Sequence, residues 1–193
     1  MPTLLHDCHQ EWIKDEMYDM TRAGFLSDAE LKFLRTRVGT TFKTFGGIWE
    51  NSRKDPDLCL LGYGQFLPTV VMESGYSESR PQLQADMRLW LKGGAPAVQL
   101  VLIINWSELV GKKIKGSIEA WELNGDTPTL IQEEVIFPQP PGNPAQAIGV
   151  TRGQLFGNAT FPNRNRNDTY NLSIENLRNV ASWSIRDMGF IPV

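Results

Sequence analysis

The residues with the most chemistry to offer are two carboxylates sixteen positions apart, Asp57 and Glu73. Asp57 follows Pro56 and opens the apolar run Leu58-Cys59-Leu60-Leu61. Glu73 closes a second run, Pro68-Thr69-Val70-Val71-Met72. If both runs are strands and lie side by side, the two carboxylates converge at one end of a sheet. Two convergent carboxylates suit Mg²⁺ (or Mn²⁺), because hard cations take oxygen ligands. The backbone carbonyl of Ser74 supplies a third oxygen, and waters fill the rest. A cation held this way polarises a phosphoryl oxygen and generates hydroxide near neutral pH. The segment after Glu73 adds Gln84, Asp86, Arg88 and Lys92. Asp86 or Arg88 completes the site in this reading. Arg88 cannot act as a base, since a guanidinium keeps its proton.

Several elements must position these groups. Both apolar runs have the length and composition of buried strands. Ser79 and Gln82 read as a capping box opening a helix that runs to Lys92, where Gly93-Gly94 stops it. Its apolar face is Leu83, Met87, Trp90 and Leu91. Val98–Ile104 is nearly all apolar, as a strand covered on both faces would be. A strand, a helix and a second buried strand imply a parallel crossover. Upstream, Ser27-Asp28-Ala29-Glu30 is a capping box, and the pattern predicts a helix over 28–38. Glu30 is accounted for by that box. Thr40–Phe45 is β-prone. Downstream, Lys115–Leu123 and Thr129–Phe137 read as a hairpin turning at Asn124-Gly125-Asp126. Pro138–Pro144 is a stiff connection. Residues 148–157 include a late strand, and 173–187 form a C-terminal helix. The fold class is α/β, with a mixed central sheet flanked by helices.

These motifs resemble the PD-(D/E)XK restriction-endonuclease-like superfamily, and its small standalone members in particular. The matching text is Lys54-Asp55-Pro56-Asp57-Leu58-Cys59-Leu60-Leu61, then Leu67-Pro68-Thr69-Val70-Val71-Met72-Glu73-Ser74-Gly75. The helix Arg80–Lys92 and strand Val98–Ile104 follow in order. The resemblance implies a restriction-endonuclease-like core over 28–137, after an N-terminal helical segment over 1–27. The C-terminal extension, 138–193, packs on that core. It also implies Mg²⁺-dependent phosphodiester hydrolysis on nucleic acid, and it admits a homodimer. Asp57 and Glu73 hold the metal in this reading, with Ser74. One departure bears on catalysis. The motif lysine, two positions after the glutamate, is Gly75, and the slot to which family members move it falls on Asp86. The alternative is a catalytically inactive nuclease fold serving as a binding or protein-interaction module.

Other candidates carry less. His6-Asp7-Cys8-His9 has ligands too close in sequence for the usual zinc loop. Both histidines of the chain lie there, on a helix marked by Trp12, Ile13, Met17 and Met20, and this helix reads as solvated. Neither histidine reaches the carboxylate site without a long excursion of the chain. Gly75-Tyr76-Ser77-Glu78-Ser79 lacks the second glycine of a nucleophile elbow. Lys112, Lys113, Lys115, Arg164 and Arg166 offer a basic patch for phosphates. Trp49, Trp90, Trp106, Trp121 and Trp183 read as core or half-buried packing.

Composition sets the outer bounds. The chain has 193 residues, 41% hydrophobic and 21% charged, which excludes a disordered chain. Its net charge of -3 gives no global pull toward nucleic acid. Cys8 and Cys59 are too few for a disulfide framework. No signal-peptide run opens the sequence, so an intracellular location, cytoplasmic or nuclear, is expected, with no membrane partner. The sequons at Asn105, Asn158, Asn167 and Asn171 then read as chance matches.

Overall fold

The computed structural model describes residues 3–76, 79–142 and 144–193. The chain opens with helix α1 (Leu4–Arg22), capped by the Thr3 side chain. Its apolar stripe, Leu5, Cys8, Trp12, Ile13, Met17 and Met20, is buried. This corrects the expectation of a solvated helix: the stripe is wide enough to cover one face of the sheet.

Helix α2 (Asp28–Phe33) starts at the capping box, with Ser27 and Glu30 bonded reciprocally. It is shorter than 28–38. Its C-terminal half is instead strand β1 (Leu34–Arg37), which pairs antiparallel with β2 (Leu58–Gly62). Sheet hydrogen bonds override the helical spacing there, and only Leu34 of β1 is buried. Thr40–Phe45 forms no strand. Only Phe42 pairs, in a single antiparallel bridge to Lys54.

Strand β3 (Val70–Tyr76) is antiparallel to β2 and parallel to β4 (Leu100–Leu109). Helix α3 (Arg80–Arg88) makes the crossover, and a π-helical turn, Leu89–Gly93, ends it. This is the expected parallel crossover. The Ser79–Gln82 capping box does not form. Ser79 Oγ donates to the Tyr76 carbonyl, and Gln82 reaches Asp86. Strands β5 (Lys113–Asn124) and β6 (Thr127–Phe137) complete the hairpin. The turn between them holds Gly125 at φ 60°. The sheet order is β1-β2-β3-β4-β5-β6.

A second small sheet pairs β7 (Ala147–Thr151) with β8 (Thr169–Ser173), and helix α4 (Arg152–Phe156) follows β7. The late strand thus ends at Thr151. Helix α5 (Ile174–Asp187) packs beside α1, and β9 (Ile191–Pro192) pairs with β5. The result is a mixed sheet covered on both faces. One apolar layer joins α1 and α5 to Leu58, Leu60, Val70, Met72, Leu100, Leu102 and Ile104. The other joins α3 and the π-turn to Cys59, Val71, Val101 and Ile103. Consecutive residues of β3 therefore face opposite layers. Among the described residues, no helix is long and apolar enough to cross a membrane.

Candidate functional site

Glu73 belongs to the β3 positions that face α3, and it is 2% exposed. A buried carboxylate needs partners. Trp90, from the π-turn, donates Nε1–H to Glu73 Oε1 at 2.6 Å. Lys54 Nζ lies 3.6 Å from the same oxygen. Lys54 precedes β2, and its backbone is fixed by the two hydrogen bonds of the Phe42 bridge. Its ammonium group donates to Asp86 Oδ2 at 2.6 Å. Asp86, buried on the sheet side of α3, also accepts from Gln82 Nε2 at 2.8 Å.

The last β2–β3 pair is Leu58 with Met72, so the register sets Asp57 across from Glu73. Beyond that pair, the Asp57 side chain takes over the ladder. Its Oδ2 accepts the Ser74 backbone N–H at 2.7 Å. His6 reaches the same carboxylate from α1, with Nε2 3.6 Å from Asp57 Oδ2. A cavity of about 430 Å³ opens among His6, Lys54, Asp57, Glu73, Gly75 and Asp86.

Electrostatics follow from this crowding. Burial pushes the Glu73 carboxyl up to about 8; Asp57 and Asp86 push the same way, while Lys54 and the Trp90 hydrogen bond oppose them. Burial pulls the Lys54 ammonium down, but Glu73, Asp86 and Asp57 outweigh it and hold its pKa above the ordinary value. Lys54 therefore stays charged against Asp86 while Glu73 takes up a proton near neutral pH.

The structure brings Asp57, Glu73 and Asp86 to one cavity, with Ser74 in its wall. The side chain of Ser74 points to the other layer, where its Oγ accepts from Trp106 Nε1 at 3.3 Å. Arg88 is exposed and not part of the cavity lining, so it does not complete the site. Gly75 has a steric reason. A Cβ there would lie 2.4 Å from Ser79 Oγ and 3.2 Å from a Leu83 methyl. A side chain at this position would have to displace the Ser79 hydroxyl from the Tyr76 carbonyl at the start of α3. Ser77 lies outside the described residues.

Two cavity residues escape the sequence reading. Lys54 stands inside the motif text, three residues before Asp57, and its signal was its charge in an otherwise turn-like stretch. His6 carries no local signal and depends on where α1 docks. Trp12 Nε1 donates to the Ser173 carbonyl, and Glu16 accepts from Ser173 N–H and Asn176. These contacts dock α1 against the β8–α5 junction. The long excursion needed by the histidines is therefore made.

The remaining candidates resolve as structure. Besides its cap, Glu30 pairs with Arg152 and lies 3.3 Å from Arg164, remote from the cavity lining. Arg166 is bound to the Gly157 carbonyl. Two members of the supposed basic patch are thus engaged within the chain. Trp183 is 63% exposed, against the packing role expected of it. Glu119, 1% exposed, accepts from Arg80, Gln84 and Trp121 and ties α3 to β5.

Among the described residues, no three His, Cys, Asp or Glu side chains stand close enough to hold a metal ion by themselves. Mg²⁺ does not require three, since one or two carboxylates with waters and phosphates serve it. The donor chemistry fits such an ion. Three carboxylates face one ammonium group, and burial, with Asp57 and Asp86 nearby, keeps Glu73 protonated near neutral pH. No family model, curated protein or solved structure matches the chain.

Proposed function

We propose that this cavity hydrolyses phosphodiester bonds in nucleic acid with the help of a divalent cation. The observation that carries the reading is Lys54. Its ammonium group sits 2.6 Å from Asp86 and 3.6 Å from Glu73, in the cavity that Asp57 walls. The lysine missing at Gly75 is in this reading supplied from the loop before β2. The sequence resemblance to restriction-endonuclease-like proteins supports the same reading.

Asp57 and Glu73 would hold the cation. When bound, it supplies Lewis-acid polarisation of the phosphoryl group and a more acidic water. The chain's own residues do the rest. Trp90 fixes the orientation of the Glu73 carboxylate. Asp86, itself held by Gln82, aims the Lys54 ammonium group into the cavity. There Lys54 stabilises charge that develops on the phosphate oxygens, which is worth more in a partly buried site than in water.

Incubation with single- and double-stranded DNA and RNA, with Mg²⁺ or Mn²⁺, tests the reading. Cleavage is expected, and is lost in Asp57→Ala, Glu73→Ala and Lys54→Met. The first two also lose the heat of metal binding in calorimetry, while Lys54→Met retains it. Absence of cleavage on every substrate overturns the hydrolase reading; if nucleic acid still binds, the cavity serves a binding module instead.

A further inference from the structure

We propose that the β4–β5 hairpin grips the phosphate backbone of the nucleic-acid substrate through Lys112, Lys113 and Lys115, about five or six nucleotides from the bond held in the cavity. The inference rests on the reading that the cavity cleaves nucleic acid, and it adds the length of chain that the substrate must have.

Strand register places the hairpin. Glu73, Ile103 and Glu119 stand in one row across β3, β4 and β5. Glu119 meets Arg80 and Gln84 of α3, so it shares the sheet face of Glu73. Lys115 and Lys113 lie four and six residues before Glu119 on that face, because side chains alternate and Ile114 between them is buried in the other layer. Strand β4 runs parallel to β3 and continues past Trp106, the partner of Tyr76, to Leu109, the partner of Lys113. The hairpin therefore overhangs the end of the sheet where Glu73, Ser74, Gly75 and Tyr76 line the cavity. At about 3.4 Å per residue and about 4.8 Å per strand, the Lys115 and Lys113 backbones stand about 17 and 22 Å from that of Glu73. Successive phosphates of one strand advance about 3.4 Å along the axis, so this reach spans about five or six nucleotides.

Charge points the same way. The chain carries a net -3, yet residues 109–117 hold three lysines and no acid. All three are exposed, and among the described residues none forms an ion pair. Arg80, Arg152, Arg164 and Arg178, by contrast, each face a carboxylate. Lysines often guard an open sheet edge. At Lys113, however, β5 is paired on both sides, with β4 and β9, so no edge needs guarding. Lys112 stands in the turn at φ 56°, which glycine or asparagine takes more easily, so the turn itself does not ask for lysine. Unpaired ammonium groups of this kind neutralise phosphates and release their counterions on binding. Leu109 and Val110 at the tip are 37% and 98% exposed, a combination with lysines that also suits an anionic membrane surface. The sheet end shared with the cavity favours nucleic acid.

The test combines Lys112→Gln, Lys113→Gln and Lys115→Gln in one variant, with the three Lys→Arg changes together as the conservative control. Fluorescence anisotropy reads binding of a labelled DNA duplex of about 24 base pairs and an RNA of about 24 nucleotides, at saturating Ca²⁺ and from about 50 to 200 mM salt. The Gln variant is expected to bind at least about tenfold more weakly at the lowest salt, with the slope of log affinity against log salt reduced by about 2–3. The Arg variant is expected to keep both. With Mg²⁺, the advantage in kcat/KM of the long substrate over one of about four nucleotides is expected to fall about tenfold in the Gln variant. Circular dichroism checks that both variants stay folded. An unchanged salt slope, an Arg variant as weak as the Gln variant, or equal losses on long and short substrates overturns the assignment. So does lysine-dependent binding to phosphatidylserine vesicles with no binding to nucleic acid. Lysine-dependent nucleic-acid binding without any cleavage fails the hydrolase reading and leaves the hairpin as the grip. Cleavage with no dependence on the lysines does the reverse.

Discussion

Lys54 and Asp86, thirty-two positions apart, meet at 2.6 Å between the loop before β2 and the crossover helix. The pair joins two elements that share no strand pairing. It also sets where the lysine's positive charge stands in a cavity that Asp57, Glu73 and Asp86 line.

Replacing Lys54 by Met leaves Asp86, with its side chain 10% exposed, and buried Glu73 without their cation. Breaking a fully buried pair costs about 3–5 kcal/mol. Lys54 keeps 22% of its side chain exposed, so solvent screening reduces the loss to about 1–3 kcal/mol. Adding Asp86→Asn removes the stranded charge and is expected to recover most of that stability in urea unfolding. The proposed hydrolysis is expected to stay lost in the double variant. Recovery of both together would show that Lys54 acts only through folding.

Glu73 predicts a pH dependence in metal-free protein. Its folded-state value of about 8 lies above the ordinary 4.5. The native state therefore binds the proton more tightly than the unfolded chain. The stability contributed by this group is complete below about pH 4.5 and is lost as the pH rises through about 8. Urea midpoints measured with a chelator present, from about pH 5 to pH 9, are expected to fall more steeply in the wild type than in Glu73→Gln. Equal slopes would place the buried proton elsewhere.

The pattern of apolar runs made the β2, β3 and β4 strands and the α3 crossover legible, and with them the convergence of Asp57 and Glu73. Apolar periodicity reports burial directly, so buried strands announce themselves. β1 did not, because Leu31, Phe33 and Leu34 also satisfy helical spacing and only pairing with β2 decides between the two. Lys54 was present in the motif text, but its direction depends on the isolated bridge to Phe42. His6 depends on docking between segments at opposite ends of the chain, through Trp12 and Ser173. No local pattern encodes such a contact. Gly75 was legible as a missing lysine but not as a packing requirement, since the obstructing atoms belong to Ser79 and Leu83.

The Glu30–Arg152 pair predicts a loss of stability without a loss of chemistry. Both side chains are almost fully buried, at 1% and 4% exposure. Arg152 also donates to the Phe25 carbonyl and stacks against Phe25 and Phe156. Arg152→Met keeps much of the stacking but leaves Glu30 with Arg164 as its cation. A cost of about 3 kcal/mol in urea unfolding is expected. Hydrolysis per folded molecule is expected to match the wild type, because neither residue lines the cavity. A selective loss of turnover at full folding would show that the pair reaches the cavity chemistry after all.

Cys8 and Cys59 report how α1 and the sheet open. Both thiols are free and buried, and burial is the main cause that pushes each up to about 12 from an ordinary 9.0. A thiol shifted that far holds roughly a thousandfold less thiolate at neutral pH, and the thiolate is the reactive form. Native-state labelling therefore requires local opening. Cys8 lies on a covering helix, whereas Cys59 lies in β2 between β1 and β3. Detaching a covering helix costs less than separating sheet strands. Cys8 is expected to react first with an aromatic disulfide reagent, and Cys59 only near the global unfolding rate. The single variants Cys8→Ser and Cys59→Ser assign the two phases. Equal rates at both thiols would mean that α1 and the sheet open as one unit.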